Sequence, residues 1–426
     1  MIPANHPQLR SWIEVPQNHD FPIQNLPFGI FSTRGNPNNK RVGVAIGDYV
    51  LDLSAVAEHG FFNDLVELTD LSVFYESYLN PFIALGQSAW RATRQRISEL
   101  LQHDNPTIRD NADLQKELLF AQKEVQMHLP VQIGDYTDFY SSLEHATNVG
   151  SMFRPDNPLF PNWKHLPVAY HGRASSIVVS GTPIRRPKGQ SKPDYSEQPI
   201  FGASRSVDFE LEVAFVIGKS TELGQSISVQ EAENHIFGLL LFNDWSARDI
   251  QKWEYMPLGP FLGKNFASSV SPWIVTLDAL EPFRTASPKQ EPKVLPYLQF
   301  EGDKAFDIQL EVWVRAESGA EKLVCQSNFK YLYWNMAQQL AHHTVNGCNV
   351  NIGDLCASGT ISGKEPNSFG SLLELTWGGK NPILMPDGSE LRFLRDGDTV
   401  IMRGYAQKNG LRIGFGEVAN QLLPAL

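Results

Sequence analysis

The chain has 426 residues, of which 42% are hydrophobic and 19% are charged, a balance typical of globular proteins and unlike that of disordered ones. Its formal net charge of −11 disfavours nucleic acid and anionic membranes as partners, because both would repel it. Three cysteines, none in a CxxC pair, exclude a disulfide framework and disfavour a zinc site. A chain this long can bury about three quarters of its extended surface, so we expect any metal to serve function rather than folding.

The first 60 residues are predicted to form a meander of short strands and turns. The strand-like runs, each bounded by turn residues, are 28–32, 41–46 and 49–53. No apolar signal-peptide segment precedes them, and no apolar run in the chain is long enough to cross a membrane. We therefore expect a protein of the reducing cytoplasm whose partner is a small molecule.

Residues 62–127 are predicted to be helical. Trp90, Ile97 and Leu101 share one apolar face, and three arginines are expected elsewhere on the helix surface: Arg91, Arg94 and Arg96. The Asn105-Pro106 pair is expected to break this helix. Strand-like runs, glycines and prolines dominate after residue 129, so the sequence predicts a domain boundary near 120–130. The stretch 282–296 is predicted to be a surface loop.

Two glutamates lie in the apolar run 207–217. Period two in a strand places Glu210 and Glu212 on one face, about 7 Å apart. The opposite face of the strand contains the apolar residues Phe209, Leu211, Val213 and Phe215. The glutamates are either the solvated face of a half-buried strand or part of a buried site, and the apolar flanks favour the second interpretation.

Further carboxylates could complete such a site. Asp244 ends the apolar run 236–243, where it is either a strand-end site residue or a helix N-cap. In the segment 134–140, either Asp138 or Asp135 could be the aspartate that points into the site. Four carboxylates without cysteine or histidine would make an all-oxygen site, which favours Mg²⁺, Ca²⁺ or Mn²⁺ over zinc.

His145 is the candidate general base, since histidine titrates near neutral pH. It stands among small polar residues, which predicts a loop or an irregular helix entry. Glu374, predicted on a strand, is a candidate to orient it. Both residues also have ordinary structural interpretations.

Residues 243–255 are predicted to be a strand end followed by a helix, with a capping box between Ser246 and Asp249. Three polar side chains then share one helical face: Arg248, Gln251 and Tyr255. Lys264 follows in a Gly/Pro-rich loop. Each of these could equally be a solvated surface residue.

Other catalytic motifs are missing from the sequence. His342 and His343 are adjacent, so they cannot easily bind one ion. There is no Gly-x-Ser-x-Gly elbow, no dinucleotide-binding glycine motif after a strand and no phosphate-binding loop. Nothing near Cys348 marks it as an activated nucleophile.

Long segments of the chain resemble the fumarylacetoacetate hydrolase family. The similarity covers nearly the whole chain and is densest between Asp135 and Glu374. The matching segments are 135–142, 145–150, 170–187, 243–251, 257–264 and 357–363, of which the longest begins Tyr170-His-Gly-Arg-Ala-Ser-Ser-Ile-Val-Val-Ser-Gly. The resemblance implies a mainly β fold with some α: a small N-terminal SH3-like β-barrel domain with a helical connector at 1–128, and a larger C-terminal catalytic domain of mixed β-roll type at 129–426. It also implies a homodimer.

The resemblance implies roles for particular residues. The metal ligands would be Asp138, Glu210, Glu212 and Asp244, with a further position at the Lys264 to Ser268 loop, where animal members have threonine in place of Ser268. His145 would be the base, and Glu374 would orient it. Arg248, Gln251 and Lys264 would stabilise developing negative charge. The substrate would be held by Tyr140, Arg154, Tyr170, Gln251, Tyr255 and Thr360.

The implied activity is hydrolysis of the carbon–carbon bond of 4-fumarylacetoacetate to fumarate and acetoacetate, the final step of tyrosine and phenylalanine catabolism. The implied cofactor is Mg²⁺ and/or Ca²⁺. The alternatives are a related acylpyruvate hydrolase or decarboxylase that uses the same carboxylates, and a metal-stabilised binding protein without turnover. The second alternative would leave His145 and Glu374 without a use.

Overall fold

The computed structural model describes residues 2–426, which form a mainly β structure with several short helices. The N-terminal strands form one five-stranded antiparallel sheet, here called the N-terminal sheet, in the order β4-β3-β2-β1-β5. These strands are β1 (Phe28–Thr33), β2 (Asn36–Ile46), β3 (Tyr49–Asp52), β4 (Leu119–Ala121) and β5 (Val125–His128). The predicted meander is confirmed as β1 to β3.

The N-terminal sheet must curl strongly. Its two edge strands, β4 and β5, are separated in sequence only by residues 122–124. Four residue steps can span at most about 14 Å, whereas a flat five-stranded sheet would place its edges about 19 Å apart. The sheet therefore bends until its edges approach each other, as expected for a small barrel.

The helices of this part lie between β3 and β4. They are α1 (Leu53–Glu58), α2 (Asn80–Ala84), α3 (Gln87–Leu101), α4 (Pro106–Arg109) and α5 (Ala112–Leu118). Trp90, Ile97 and Leu101 form the buried face that the sequence predicts. The predicted helical span 62–127 is wrong at both ends. Residues 62–79 form turns and a 3₁₀ segment, and residues 119–121 and 125–128 pair with strands that are distant in sequence.

The surface position predicted for Arg94 is also wrong. Arg94 is only 3% exposed, and its guanidinium donates to the backbone carbonyl of Asn25 at 3.2 Å, to the side chain of Asn5 at 2.8 Å and to the carbonyl of Gln24. Burial lowers the pKa of Arg94 to about 10, so it stays charged at neutral pH. This cation holds the N-terminal segment against α3.

Beyond residue 135 the chain is dominated by strands, which are listed here in chain order: β6 (Tyr136–Phe139), β7 (Ala169–His171), β8 (Ile177–Val179), β9 (Ile184–Arg185), β10 (Lys188–Ser191), β11 (Ile200–Ala203), β12 (Val207–Asp208), β13 (Leu211–Ile217), β14 (Ile236–Asp244), β15 (Ser246–Ala247), β16 (Ser268–Val270), β17 (Val275–Thr276), β18 (Arg284–Thr285), β19 (Ala305–Phe306), β20 (Gln309–Arg315), β21 (Glu321–Asn328), β22 (Leu355–Ala357), β23 (Ile383–Leu384), β24 (Glu390–Leu391), β25 (Thr399–Lys408) and β26 (Leu411–Leu423).

The helices of this part are α6 (Leu143–Phe153), α7 (Arg248–Glu254), α8 (Leu277–Leu280), α9 (Met336–Thr344) and α10 (Leu372–Leu375). Single 3₁₀ turns occupy Pro3–Asn5, Leu71–Tyr75, Gln122–Glu124, Ala174–Ser176, Ala232–His235, Glu281–Phe283, Pro296–Leu298, Phe329–Tyr331 and Pro366–Ser368.

A mixed eight-stranded sheet, here called the central sheet, has the order β7-β6-β22-β13-β14-β16-β8, with β17 paired to β14. β6 runs parallel to β22, and β16 runs parallel to β8, while the other pairs are antiparallel. A second, five-stranded sheet has the order β21-β20-β25-β26-β9. Four two-stranded pairs complete the described strands: β10–β11, β12–β15, β18–β19 and β23–β24. The mainly β fold with some helix is confirmed.

The central sheet separates two hydrophobic cores. Phe209, Leu211, Val213 and Phe215, the parity that the sequence predicts, pack into the core shared with the second sheet. Ala214 and Val216 pack on the opposite face, into the core of the N-terminal part. Phe28 joins the two parts on that face: its ring centroid lies 5.1 Å from that of Phe82 and 5.9 Å from that of Phe237. Both faces of β13 are therefore buried.

Two local predictions need correction or refinement. The predicted capping box between Ser246 and Asp249 is wrong. The N-cap residue of α7 is Ala247, whose side chain makes no capping hydrogen bond, and Asp249 instead accepts a hydrogen bond from the hydroxyl of Ser204 at 2.5 Å. The predicted surface loop at 282–296 is correct only in part: seven of its 15 residues are exposed, but Phe283 and Val294 are buried and residues 284–285 form β18. Among residues 2–426, no helix has the length and apolar character needed to cross a membrane.

The burial of Arg94 generates a stability prediction. Arg94→Ala removes a buried guanidinium and leaves its three hydrogen-bond acceptors without their partner. We therefore expect the free energy of unfolding to fall by about 3 kcal/mol. The control is Arg91→Ala on the same helix, which removes only a half-exposed ion pair with Asp278 and should cost less than about 1 kcal/mol. Thermal unfolding followed by calorimetry compares the two variants, and equal losses of Tm would contradict the role of Arg94.

Candidate active site

Four carboxylates converge at one end of the central sheet. Asp138, Glu210, Glu212 and Asp244 each offer an oxygen within 4.8 Å of the others, and none is more than 5% exposed. We call these four residues the acid cluster. Asp138 lies in β6, Glu210 directly precedes β13, Glu212 lies in β13, and Asp244 ends β14. Strand pairing brings them together although 106 positions separate the first from the last.

The structure resolves the alternatives that the sequence left open. Asp138 faces the acid cluster, whereas Asp135 is exposed. Glu210 and Glu212 are buried, so they are not a solvated strand face. Asp244 is the last residue of a fully buried strand and caps no helix.

Two buried cations contact the acid cluster. The ammonium of Lys264 contacts Glu210 and also Asp244, at 2.9 Å from Oδ2. Arg248 Nη1 forms an ion pair with Glu210 Oε1 at 2.8 Å, and Arg248 Nε donates to Asp208 Oδ2 at 2.9 Å. Four carboxylates thus face two cations, one of which is also bound to a fifth carboxylate, so negative charge is in excess.

The excess charge perturbs the carboxyl groups unequally. Burial, followed by the charge of Asp244, raises the pKa of Asp138 well above its usual range. Burial, followed by the charges of Asp138 and Asp244, does the same to the pKa of Glu212. Burial alone would also raise the pKa of Glu210, but Lys264 and Arg248 hold it below its usual range. The uncompensated charge is therefore concentrated on the Asp138 and Glu212 side.

A divalent cation fits this side of the acid cluster. Asp138 Oδ1 and Glu212 Oε1 are buried and have no hydrogen-bond partner in the described part of the chain. Buried polar atoms are normally paired, so two unpaired carboxylate oxygens from one cluster are suited to bind a cation. An all-carboxylate set is suited to a hard ion such as Mg²⁺ or Ca²⁺.

The loop from Lys264 to Ser268 borders the acid cluster. The Ser268 hydroxyl donates to Asp244 Oδ1 at 3.0 Å, because these two residues are directly opposite in the β14–β16 pair. The charged ammonium of Lys264 has no lone pair, so its side chain balances charge and does not coordinate a metal. A second cation position here would have to use the Ser268 hydroxyl or backbone carbonyl oxygens.

A histidine–glutamate pair lies beside the acid cluster. His145 Nδ1 is 2.7 Å from Glu374 Oε2, and both residues are buried. With Nδ1–H donated to the carboxylate, the free lone pair of the imidazole is on Nε2. Glu210 forms an isolated bridge with Ser371, whose hydroxyl donates to Glu374 Oε2 at 2.8 Å, so this pair lies next to the acid cluster.

The local structures of this pair differ from the predictions. His145 is the third residue of the regular helix α6, and its backbone N–H donates to the N-cap Ser142 at 3.2 Å. Glu374 lies on the one-turn helix α10 and not on a strand, because Ser371 caps that turn after the glycine-rich segment. A four-residue turn carries too little periodicity for the sequence to reveal it.

Sequence reasoning missed the side chains that hold Glu374. Asn148 donates to Glu374 Oε1 at 2.9 Å, and the hydroxyls of Ser362 and Ser371 donate to Oε2 at 3.0 and 2.8 Å. Burial would raise the pKa of Glu374, but His145 and the hydrogen bonds from Asn148 and Ser371 hold it below its usual range. Asn148 could have been found from its position three residues after His145, on the same face of a helix. Nothing in the sequence marked Ser362 and Ser371 as partners of Glu374.

Two of the other predicted site residues contact the two centres. The Tyr170 hydroxyl donates to Asp244 Oδ2 at 3.0 Å, and the strand register places Tyr170 directly opposite Asp138. The Tyr140 ring lies edge-on to the His145 ring, with 5.2 Å between the centroids.

The remaining predicted residues make no hydrogen bond to the four carboxylates, although Thr360 follows Gly359, whose N–H donates to Glu212 Oε2 at 3.0 Å. Gln251 accepts from Arg248 Nη1 at 3.4 Å. Thr360 is buried, and its hydroxyl has no partner in the described residues. Tyr255 is 42% exposed at the end of α7. Arg154 stacks on Phe160 at 4.0 Å.

The candidates that the sequence disfavoured are engaged elsewhere. His342 Nδ1 is 3.1 Å from the Tyr297 hydroxyl, whereas His343 Nε2 is 2.9 Å from the Thr137 hydroxyl, so the two imidazoles diverge. The three cysteines are free thiols.

Comparisons with known proteins agree with this arrangement. The family model described as "Fumarylacetoacetase N-terminal" matches residues 24–130, and that described as "Fumarylacetoacetate (FAA) hydrolase C-terminal" matches residues 135–423. The chain is 55% identical to the fumarylacetoacetase of Homo sapiens over 98% of its length and 99% of the relative's. It is 50% identical to that of Oryza sativa subsp. japonica over the full length of both.

A solved structure shares the fold. The fumarylacetoacetate hydrolase of Exiguobacterium antarcticum superposes with a TM-score of 0.54 at 19% identity, covering 94% of this chain and 99% of the other. The family models and the high identity over whole chains establish that this chain belongs to the fumarylacetoacetate hydrolase family.

Proposed function

We propose that this chain hydrolyses the carbon–carbon bond of 4-fumarylacetoacetate and releases fumarate and acetoacetate, the final step of tyrosine and phenylalanine catabolism. The observation that carries the proposal is the buried His145–Glu374 pair beside a four-carboxylate cluster, in a chain that matches fumarylacetoacetases from end to end. A binding protein would have no use for a base held in one tautomer.

Breaking this bond by hydrolysis requires a base and a stabilised leaving group. Asp138, Glu210, Glu212 and Asp244 would hold a divalent cation, which would supply Lewis-acid stabilisation of negative charge on the diketone oxygens. We propose Mg²⁺ or Ca²⁺ as this ion, in line with the all-oxygen ligand set.

His145 Nε2 takes a proton from the attacking water, which adds to the carbonyl carbon of the fumaroyl group. The bond from this carbon to the methylene between the two ketones then breaks, and the acetoacetate enolate that leaves takes up the proton held by His145. Glu374 holds the imidazole with Nε2 facing the site and stabilises the imidazolium that forms, as the acid of a catalytic triad does. The four hydrogen bonds to Glu374 keep it ionised, which this role requires.

Developing negative charge on the substrate needs donors. Arg248 Nη2 is buried and has no partner in the described chain, so it is available to an oxyanion. Lys264 and Gln251 flank it. Removing one such donor typically costs about 3 kcal/mol of transition-state stabilisation.

Substrate binding is assigned to residues around these two centres. Tyr140 is half-buried against His145, and Tyr170 is half-buried against Asp244. Thr360 is buried and follows Gly359, whose N–H donates to Glu212 Oε2 at 3.0 Å. Arg154 and Tyr255 lie further out, so contact with a substrate carboxylate would require their side chains to turn inward.

Several broader features are also proposals. We propose a division into domains at residues 128/129 and a cytoplasmic location, which three free thiols support. We propose a homodimer, supported by exposed apolar side chains at Phe201, Met256, Leu258 and Phe261. A solution mass equal to that of one chain, measured by light scattering, would refute the dimer.

The direct test of the activity uses purified protein and fumarylacetoacetate. We expect the ultraviolet absorbance of the diketone to disappear, with one fumarate and one acetoacetate formed per substrate consumed. Release of carbon dioxide would instead identify a decarboxylase. Activity confined to acylpyruvates would identify the related hydrolase, and either result would refute the proposed reaction.

Removing the base should abolish turnover without unfolding the protein. We expect His145→Ala to lower kcat by at least about 10²–10⁴-fold and to leave the metal content unchanged. The control is His128→Ala in β5, where the imidazole contacts the Ser32 hydroxyl in the N-terminal sheet and not in the central sheet that carries the acid cluster. Near-normal turnover in His145→Ala would rule out its role in water activation.

Removing the cation should also abolish turnover, and Mg²⁺ or Ca²⁺ should restore it. Asp138→Asn is expected to weaken cation binding by at least about 10–100-fold, the usual cost of losing even a supporting ligand contact. Asp398→Asn, a buried aspartate bonded to Arg395, serves as the control. Isothermal titration calorimetry measures both affinities. Full activity after thorough demetallation would refute the metal requirement.

A further inference from the structure

Asp208 is a buried carboxylate close to the site but outside the acid cluster. It is fully buried in β12, two residues before Glu210. Its Oδ1 accepts the backbone N–H of Leu372 at 2.7 Å, and its Oδ2 accepts that of Leu373 at 2.9 Å. Oδ2 also accepts Arg248 Nε at 2.9 Å. One carboxylate thus binds two separate parts of the candidate active site.

The first part is the helix α10, which carries Glu374. A single turn is not stable by itself, because helix nucleation is unfavourable, so its position must be fixed from outside. Asp208 binds the first two N–H groups of this turn. The backbone reinforces the contact: Leu211 N–H donates to Gly370 O at 2.9 Å, and Glu210 forms an isolated bridge with Ser371.

The second part is the guanidinium of Arg248. Its Nε is bound by Asp208, and its Nη1 is bound by Glu210 Oε1 at 2.8 Å. Because the guanidinium is planar and rigid, fixing these two nitrogens also fixes the direction of Nη2. Nη2 is the buried donor that has no partner among the described residues.

We propose that Asp208 is a positioning residue that holds Glu374, and through it the base His145, in fixed register with the anion-binding donor Arg248 Nη2. The inference rests on the proposed function, since it names a further residue that acts on the same site. Asp208 does not touch the substrate. It sets the separation between the group that activates water and the group that receives the negative charge.

The test compares two buried aspartates with nearly the same local bonding. Asp52 also accepts two N–H groups at a helix start, from Ser54 and Ala55, and an Arg41 Nε at 2.5 Å, but it lies in the N-terminal sheet. Asp208→Asn and Asp52→Asn each place an amide NH₂ against donors, so both should lower Tm. Only Asp208→Asn should lower kcat, by about 100-fold, as expected for a misaligned catalytic group.

A second readout does not depend on turnover. The proton on His145 Nδ1, held by Glu374, should give a far-downfield ¹H NMR resonance that is missing in His145→Ala. We expect Asp208→Asn to shift or broaden this resonance and Asp52→Asn to leave it in place. If Asp208→Asn does not fold, Asp208→Glu, which keeps the charge but displaces it by one methylene, is measured in its place.

The outcomes separate the two proposals. Absence of fumarylacetoacetate hydrolysis in the wild-type protein would refute the proposed function, while the NMR comparison would still test Asp208. A resonance unchanged in the Asp208 variant, or a kcat equal to that of the Asp52 variant, would overturn the positioning role. A shifted resonance together with a selective loss of kcat would support it.

Discussion

Mutual repulsion among four buried carboxylates is the constraint on which the rest of the structure depends. With oxygens within 4.8 Å and an effective dielectric constant of about 20, each pair repels by about 3 kcal/mol, and the six pairs together by on the order of 20 kcal/mol. That exceeds the roughly 5–15 kcal/mol by which a typical protein is stable. Lys264 and Arg248 offset part of this repulsion, and a divalent cation would offset the remainder. Without a cation, the raised pKa values of Asp138 and Glu212 let protons take its place.

The fold holds this repulsive group together by burying both faces of the central sheet. β13 contributes alternate side chains to two separate cores, so neither Glu210 nor Glu212 can turn towards solvent without disrupting one of them. Antiparallel pairing then sets Asp244 opposite Ser268 and Asp138 opposite Tyr170. The packing of the N-terminal part onto one face, through Phe28 and Phe237, thereby contributes to the chemistry at the end of the sheet.

The sequence predicted those features that depend on local periodicity. Alternation in 207–217 correctly separated the two glutamates from the apolar parity, and the apolar run before Asp244 correctly indicated a buried strand end. Features fixed by contacts between distant segments could not be read in this way. Asp138 and Asp135 differ only in which one lies in a strand of the central sheet. The segments β4 and β5 become strands only because they pair with β3 and β1. Arg94 is buried by a segment about 70 positions away in the sequence. The turn that carries Glu374 depends on bonds to Asp208.

The acid cluster can act together with the His145–Glu374 pair in catalysis only if a cation is bound to its carboxylates. Crystals grown with Mn²⁺ and measured at its absorption edge would locate the ion directly. We expect one strong anomalous peak among the carboxylate oxygens of Asp138, Glu210, Glu212 and Asp244, in contact with the two oxygens that have no protein partner. Absence of a peak there, with Lys264 alone bridging Glu210 and Asp244, would contradict a metal-dependent site.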